Sequence, residues 1–265
     1  MKFKDELRQI KNIKKAYVQL WKGDFANEAT YIAFMGCEFL KIPTQRFHIE
    51  DMGTLEIDKD TVVFGGVTAV RTGLSMIGAE LPKPLDIPEE LYPYTKRNIR
   101  LGTIKSFMEE KNFPLFVKPR LPKLFTGAVV CSAEELELFK YLHTDDLDME
   151  IMASDVVKFV SEYRTFVLEG HPYDCRKYSG NHRITPDFNF IEETIKAYKT
   201  APVAYGIDFG VTDKGETMLI EANDGYSLGT YGFDCYNYVR MCILRWNQIL
   251  NNEQFFKEGD KIEIM

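Results

Sequence analysis

Asp208, Glu221 and Asn223 are the residues of this 265-residue chain whose types and spacing best suit metal chemistry. Glu221 and Asn223 stand two apart at the end of an apolar run, so a strand sets both on one face. Asp208 belongs to an earlier apolar run, Val203 to Phe209, separated from Met218 to Ala222 by a turn at Asp213-Lys214-Gly215. That pattern is a hairpin, and pairing its strands brings Asp208 beside the other two. Two carboxylates and an amide oxygen, with no His or Cys among them, suit a hard cation such as Mg²⁺, whose remaining ligands are waters and phosphate oxygens. The competing reading is a hairpin whose polar ends face solvent, as exposed carboxylates usually do.

A second group of residues carries positive charge. Lys118 is embedded in the short apolar strand Leu115-Phe116-Val117-Lys118-Pro119. An ammonium there either snorkels at a sheet edge or meets an anionic ligand, because burial without a partner is costly. The loop that follows, Arg120 to Gly127, adds Lys123, Thr126 and a flexible glycine, and its backbone and cations are suited to closing over phosphates. It lacks the Gly-Lys-Ser/Thr ending of a Walker loop. Arg164, in the strand Ser161 to Gly170, and Arg176-Lys177, on the returning strand Tyr173 to Tyr178, form a further cationic set. A single strand arginine is usually solvated, whereas a converging set suits an anion, and arginine suits phosphate best.

The elements that must hold these groups follow from periodicity. Residues 1 to 15 read as a short basic arm or weakly amphipathic helix, with Leu7, Ile10 and Ile13 on one side. Strands at Ala16 to Trp21, Arg46 to Glu50 and Thr61 to Phe64 alternate with helices at Asn27 to Leu40 and Val67 to Ile77, the signature of a small parallel α/β unit. Gly65-Gly66 is either an anion cradle at a helix N-terminus or a tight turn. Pro82, Pro84, Pro88 and Pro93 stiffen a connection and mark a boundary. Beyond it come a helix at Asn98 to Lys111 and another at Ala133 to Leu142, the latter started by a Ser132/Glu135 capping box. Short strands at Met149 to Met152 and Val156 to Val160, a helix at Phe190 to Thr200 and a closing helix at Cys235 to Leu250 complete the reading.

Composition limits the function classes. With 45% apolar and 13% aromatic residues the chain can bury a sizeable core. A net charge of −7 argues against a nucleic-acid-binding surface. Five scattered cysteines make no CxxC pair and share no zinc spacing with the four histidines, so they read as thiols in a reducing cytoplasm. A charged N-terminus without an apolar core, and no run of membrane-spanning length, lead to the expectation of a cytoplasmic protein without membrane contact.

Three elements stand in order: FVKP with its loop, EYRTFV with its hairpin, and the Asp208 hairpin ending in IEAND. This order resembles the ATP-grasp superfamily, and more narrowly its divergent clade marked by two lysines in the smaller nucleotide-binding lobe, a clade proposed to modify proteins or peptides. The resemblance covers about residues 95 to 250. It implies a mixed α/β and α+β fold in which two α+β lobes grip ATP. Residues 1–94 would form a pre-ATP-grasp α/β domain, 95–160 the small lobe and 161–265 the large lobe with the metal site.

Carried over by residue, the resemblance makes Lys118 the strand lysine on the nucleotide phosphates and Lys123 the second lysine, with Gly127 in a lid that departs from the usual glycine-rich one. Met149 to Asp155, with Glu150, Ile151 and Met152 at its heart, would be the hinge whose backbone holds adenine. Asp208, Glu221 and Asn223 match the Mg²⁺ ligands, and Arg164 the arginine of an E-x-R strand. Arg164, Arg176 and Lys177 would stabilise an acyl phosphate; Asn181, Arg183, Gly225 and Ser227 would serve the acceptor side. The implied activity is an ATP-dependent carboxylate–amine ligase that forms an amide through an acyl-phosphate intermediate on a protein, peptide or amino-acid substrate. The alternative is an ATP-binding assembly factor without ligase turnover; a kinase reading lacks any HRD-like stretch. On the ligase reading, Asp208→Ala or Glu221→Ala ends activity and spares the fold.

Overall fold

The computed structural model describes residues 10–110, 112–120, 125–143, 146–253 and 255–256, which build three four-stranded sheets. In the first, β1 (Lys15–Trp21) runs parallel to β3 (Thr44–His48) on one side and β4 (Thr61–Phe64) on the other, and the two-residue β2 (Asp24–Phe25) pairs antiparallel with its end. The parallel α/β unit is present as expected. Helix α1 (Glu28–Leu40) starts at a capping box made by Asn27 and Thr30 and stops where Lys41 turns left-handed. Helix α2 (Val67–Met76) starts directly after Gly66. Of the expected N-terminal arm, residues 1–9 lie outside the described residues, while Ile10 and Ile13 are buried.

The proline-bearing stretch is a docked strap rather than a free linker. Ile87 and Leu91 are buried in the core of the third sheet, and Leu85 and Tyr92 pack against it. It ends in the single turn α3 (Tyr92–Thr95). Asn98 to Lys111, expected as one helix, divides into β5 (Arg100–Thr103) and the short α4 (Ile104–Met108), capped by Thr103. The strand forms because β5 has a partner distant in sequence, with Gly102 opposite Ile151. Local periodicity carries no trace of that partner.

The second sheet has the order β5-β8-β6-β7, with β6 (Leu115–Pro119), β7 (Ala128–Val130) and β8 (Glu150–Ser154). Helix α5 (Ala133–His143) follows Ser132, whose hydroxyl accepts from Glu135 N at 3.2 Å, while Glu135 accepts from Cys131 N at 2.7 Å. Its core joins Ile104, Phe107, Leu115, Val117, Leu136 and Ile151.

The third sheet has the order β10-β9-β11-β12 and is antiparallel throughout. Its strands are β9 (Phe159–Leu168), β10 (His171–Gly180), β11 (Ala204–Thr212) and β12 (Thr217–Asp224). The separate strand expected at Val156 to Val160 is absent; Phe159 and Val160 begin β9, and residues 155–158 link the second sheet to the third. One face of the third sheet buries Val167, Ile207 and Phe209 under α6 (Phe188–Ala197), through Ile191 and Ile195. The other face lies under α7 (Cys235–Leu250), whose Tyr238, Met241, Leu244 and Trp246 share one core with Phe166, Leu168 and the first sheet. Helix α7 also packs closely on α1: a Cβ on Gly36 would stand 2.3 Å from the Cys235 carbonyl oxygen.

Candidate active site

Strand β9 explains how a polar site arises on a buried sheet. Its residues of one parity are Phe166 and Leu168 where α7 covers them, then Arg164 and Glu162 further along. Residues directly opposite on paired strands share a face. The register therefore sets Arg176, Arg164, Asp208 and Glu221 in one row across β10, β9, β11 and β12. Within it the Arg164 guanidinium donates through Nε to Asp208 Oδ1 at 2.8 Å and through Nη2 to Oδ2 at 2.7 Å. Both groups are buried. The strand leaves room for this pair at Gly206, where a Cβ would lie 3.3 Å from Arg164 Cδ and 3.0 Å from Leu228 Cδ1.

Burial works against the Arg164 charge, but the Asp208 hydrogen bonds and attraction outweigh it, and the guanidinium is held above its usual value. Burial also dominates at Asp208: it pushes the carboxyl up to about 6 despite Arg164, and nearby Glu221 adds to the rise. Since removing one partner strands the other inside the sheet, the expectation that Asp208→Ala spares the fold is revised. Glu221 is 37% exposed and carries no such cost.

Asn223, two residues on, turns its amide nitrogen to Glu221 Oε1 at 3.1 Å. From the second sheet, Lys118 reaches across: its Nζ lies 3.6 Å from Glu221 Oε2 and donates to Asp86 Oδ1. One cation from the middle of the chain, Lys118, thus meets an acid near its end, Glu221, across the cleft between the second and third sheets. Gly127 lies against the base of Lys118, where a Cβ would stand 3.3 Å from Lys118 Cβ and 2.6 Å from the Phe116 ring. Lys123 lies outside the described residues.

Several expected site residues are elsewhere. Glu150, Ile151 and Met152 are in β8, an inner strand flanked by β5 on one side and β6 on the other, so their backbone is committed to the sheet. The connection between the sheets follows at residues 155–158 and lies outside any strand. Arg176 is in the row, yet its guanidinium binds Asp174, with Nε 2.7 Å from Oδ2. Lys177 pairs with Tyr163 on the opposite face and donates to the Gly180 carbonyl at 3.3 Å. Neighbouring strand residues point opposite ways, so Arg176 and Lys177 cannot both face the cleft.

On the expected acceptor side, Asn181 and Arg183 are exposed, and Asn181 Oδ1 accepts from Arg183 N at 3.0 Å in a local turn. Gly225 is buried, and a Cβ there would meet the Ala204 carbonyl oxygen at 2.4 Å. Ser227 donates to the Gly65 carbonyl at 2.7 Å, and Gly66 N donates to Gln19 Oε1 at 2.8 Å. Gly65-Gly66 is therefore a junction between the first sheet and the loop after β12.

Three features escaped the reading of the sequence. Asp86, the partner of Lys118, comes from the strap; its only signal is an acid set between Leu85 and Ile87, with Pro84 and Pro88 on either side. Arg97 donates to the Leu219 and Ile220 carbonyls at 3.3 and 3.1 Å, while its buried Nε has no hydrogen-bond partner among the described residues. Tyr178 and Tyr231 stack 5.0 Å apart, and the Arg164 guanidinium lies 5.3 Å from the Tyr231 ring centre. Tyr231 takes φ 51°, a conformation that no pattern in the sequence announces.

The donor chemistry fits a magnesium nucleotide. Asp208 and Glu221 carry carboxylate oxygens and Asn223 an amide oxygen on one face, and oxygen donors are what Mg²⁺ prefers; among the described residues no three His, Cys, Asp or Glu side chains converge as a metal site. Lys118 and the Arg97 guanidinium supply positive charge near Glu221.

The ATP-grasp domain of R2K clade family 2 matches residues 94–241, and the chain belongs to that family. Its fold is that of the ATP-grasp ligases. The D-alanine–D-alanine ligase from Bacillus anthracis is 14% identical, with a TM-score of 0.51 over 90% of this chain and 98% of that one. The L-amino acid ligase from Bacillus licheniformis is 10% identical, with a TM-score of 0.57 over 94% of this chain and 78% of that one. The D-cycloserine synthetase DcsG is also 10% identical, with a TM-score of 0.57 over 89% and 99%. No curated protein matches the chain in sequence.

Proposed function

We propose that this protein is an ATP-dependent carboxylate–amine ligase that forms an amide through an acyl phosphate on a peptide, protein or amino-acid substrate. The observation that carries the reading is the approach of Lys118, from the second sheet, to Glu221, in the row that holds Asp208 and stands beside Asn223 on the third. Ligase relatives of the same fold agree with it. In this reading residues 1–94 form the preceding α/β domain, 95–160 the small lobe and 161–265 the large lobe. The link at 155–158 replaces Glu150–Met152 as the edge offered to adenine.

Mg²⁺, when bound, neutralises phosphate charge as the γ-phosphoryl group moves to the substrate carboxylate. Asp208, Glu221 and Asn223 would hold it. Lys118 binds the phosphates and orients them toward the row. Arg164 stabilises negative charge at the reacting carboxyl; its guanidinium is already fixed in direction by Asp208 and by the tyrosine ring above it, which is the preorganisation that electrostatic catalysis needs. Arg176 is a weaker candidate for that role because Asp174 holds it. Lys177 is set aside. Ser227 and Gly225 shape the loop toward which the acceptor amine approaches, with Asn181 and Arg183 at its outer margin. The five free thiols suit the proposed cytoplasmic location, and among the described residues no helix is long and apolar enough to cross a membrane.

The test is release of ADP and phosphate with panels of amino acids and peptides as donors and acceptors, with mass analysis of the products. An amide product with one ADP released per bond supports the ligase. ATP binding without turnover under every combination would leave the assembly-factor alternative. In either case Lys118→Ala should weaken nucleotide binding by roughly tenfold or more, the scale of a lost charge-assisted hydrogen bond.

A further inference from the structure

The strap of residues 82–93 brings a carboxylate to the nucleotide lysine, and it does so from outside the matched family region, which begins at residue 94. Its position is fixed by its own backbone. The Asp86 carbonyl accepts from Ala222 N at 2.7 Å on the outer edge of β12, one residue beyond Glu221. Flanking Ile87 is buried in the core and Leu85 packs against it, so Asp86 stands on the third sheet as firmly as a strand residue. Lys118, by contrast, belongs to the second sheet. The Asp86–Lys118 ion pair therefore crosses the cleft from the side of the third sheet to the second. Between the two carboxylates, Asp86 is the one within hydrogen-bonding distance of Lys118, and Glu221 is the more distant at 3.6 Å.

We infer that Asp86 is a displaceable counter-ion that occupies Lys118 until a nucleotide phosphate takes its place. The inference rests on the phosphate-binding role proposed for Lys118. Desolvation of an ammonium in a half-buried cleft is costly, and in the absence of phosphate Asp86 supplies its hydrogen-bonded partner, with Glu221 the more distant second carboxylate. A phosphate oxygen arriving at Lys118 offers a fuller negative charge in the same position, so the carboxylate must release the ammonium. As product leaves, Asp86 recovers Lys118. Nucleotide affinity is thereby lowered and product release eased by a residue that the family domain itself does not contain.

The experiment is calorimetric titration of the full chain with ADP and with a non-hydrolysable ATP analogue, each with and without Mg²⁺. Asp86→Asn and Asp86→Ser both keep the backbone bond to Ala222 and remove the charge. They should tighten nucleotide binding by roughly fivefold, the upper worth of a partly exposed ion pair, and slow ADP dissociation in stopped-flow. Asp86→Glu should bind like the natural protein. In a Lys118→Met background the gain from Asp86→Asn should vanish. Unchanged or weaker binding in both neutral variants would overturn the inference, as would a gain that persists without Lys118, because the effect would then be general repulsion of phosphate. Lys118→Met alone tests the underlying reading: if it leaves affinity unchanged, the phosphate role of Lys118 fails first, and if it weakens binding while Asp86→Asn tightens nothing, only the counter-ion is wrong.

Discussion

Arg164 and Asp208 set the energetics of the site at the scale of single residues. A bidentate pair buried within a sheet stabilises little relative to an apolar core, yet breaking it leaves a charge with no water and no partner. Arg164→Met is therefore expected to cost about 3–5 kcal/mol in urea unfolding, whereas Glu221→Ala, at a half-exposed position, should stay within about 1 kcal/mol while ending turnover. The pH dependence follows from the raised Asp208 value. With a folded-state pKa of about 6 against about 3.9 unfolded, the native protein binds the extra proton between those values. Stability due to Asp208 thus falls as pH rises from about 4 to about 6 and is level above that. Compared at pH 4.5, 5.5 and 7, Asp208→Asn should gain on the natural protein up to about pH 6 and no further. Lys118, Glu221 and Asn223 were legible in the sequence because polar residues punctuate apolar runs there. Asp86 was not, because a proline-bearing run reads as a connection until its docking against β12 is seen.

At the scale of elements, local pattern succeeded where a segment's own periodicity decides its form. Helices α1, α2 and α7 and the Asp208 hairpin are of this kind; Asn27 and Asp234 cap α1 and α7, while α2 follows Gly66 without a side-chain cap. It failed where a distant partner decides. Four residues of β5 are too few for alternation to show, and the apolar Ile104, Phe107 and Met108 that follow carry a helical period, which drew the whole segment into one helix. Register likewise decides which charges meet: no count of residues separates Arg176 from Lys177 until the pairing of β10 with β9 is known. Close packing makes a sharp prediction at Gly210, where a Cβ would lie 2.2 Å from the Phe159 ring. Gly210→Ala should force β9 and β11 apart at the start of β9, lowering stability by about 1–3 kcal/mol in urea. The Asp208 register follows two residues away, so nucleotide affinity should fall with it.

At the scale of the molecule, α7 ties the first sheet to the third. Cys37 and Cys242 lie in this shared core, and burial raises both thiols, Cys37 to about 12. Cys131 is exposed. Iodoacetamide should thus modify Cys131 in the native protein and reach Cys37 and Cys242 only on unfolding, with mass spectrometry assigning the order. The strap has another consequence. An edge strand with open N–H and C=O groups is a template on which other chains add. On β12 the Asp86 carbonyl takes the Ala222 N–H, and Arg97 takes the carbonyls of Leu219 and Ile220. A fragment trimmed to the matched region 94–241 keeps Arg97 but loses the Asp86 strap over Ala222 and the second half of α7, so it should aggregate through β12 where the full chain stays dispersed.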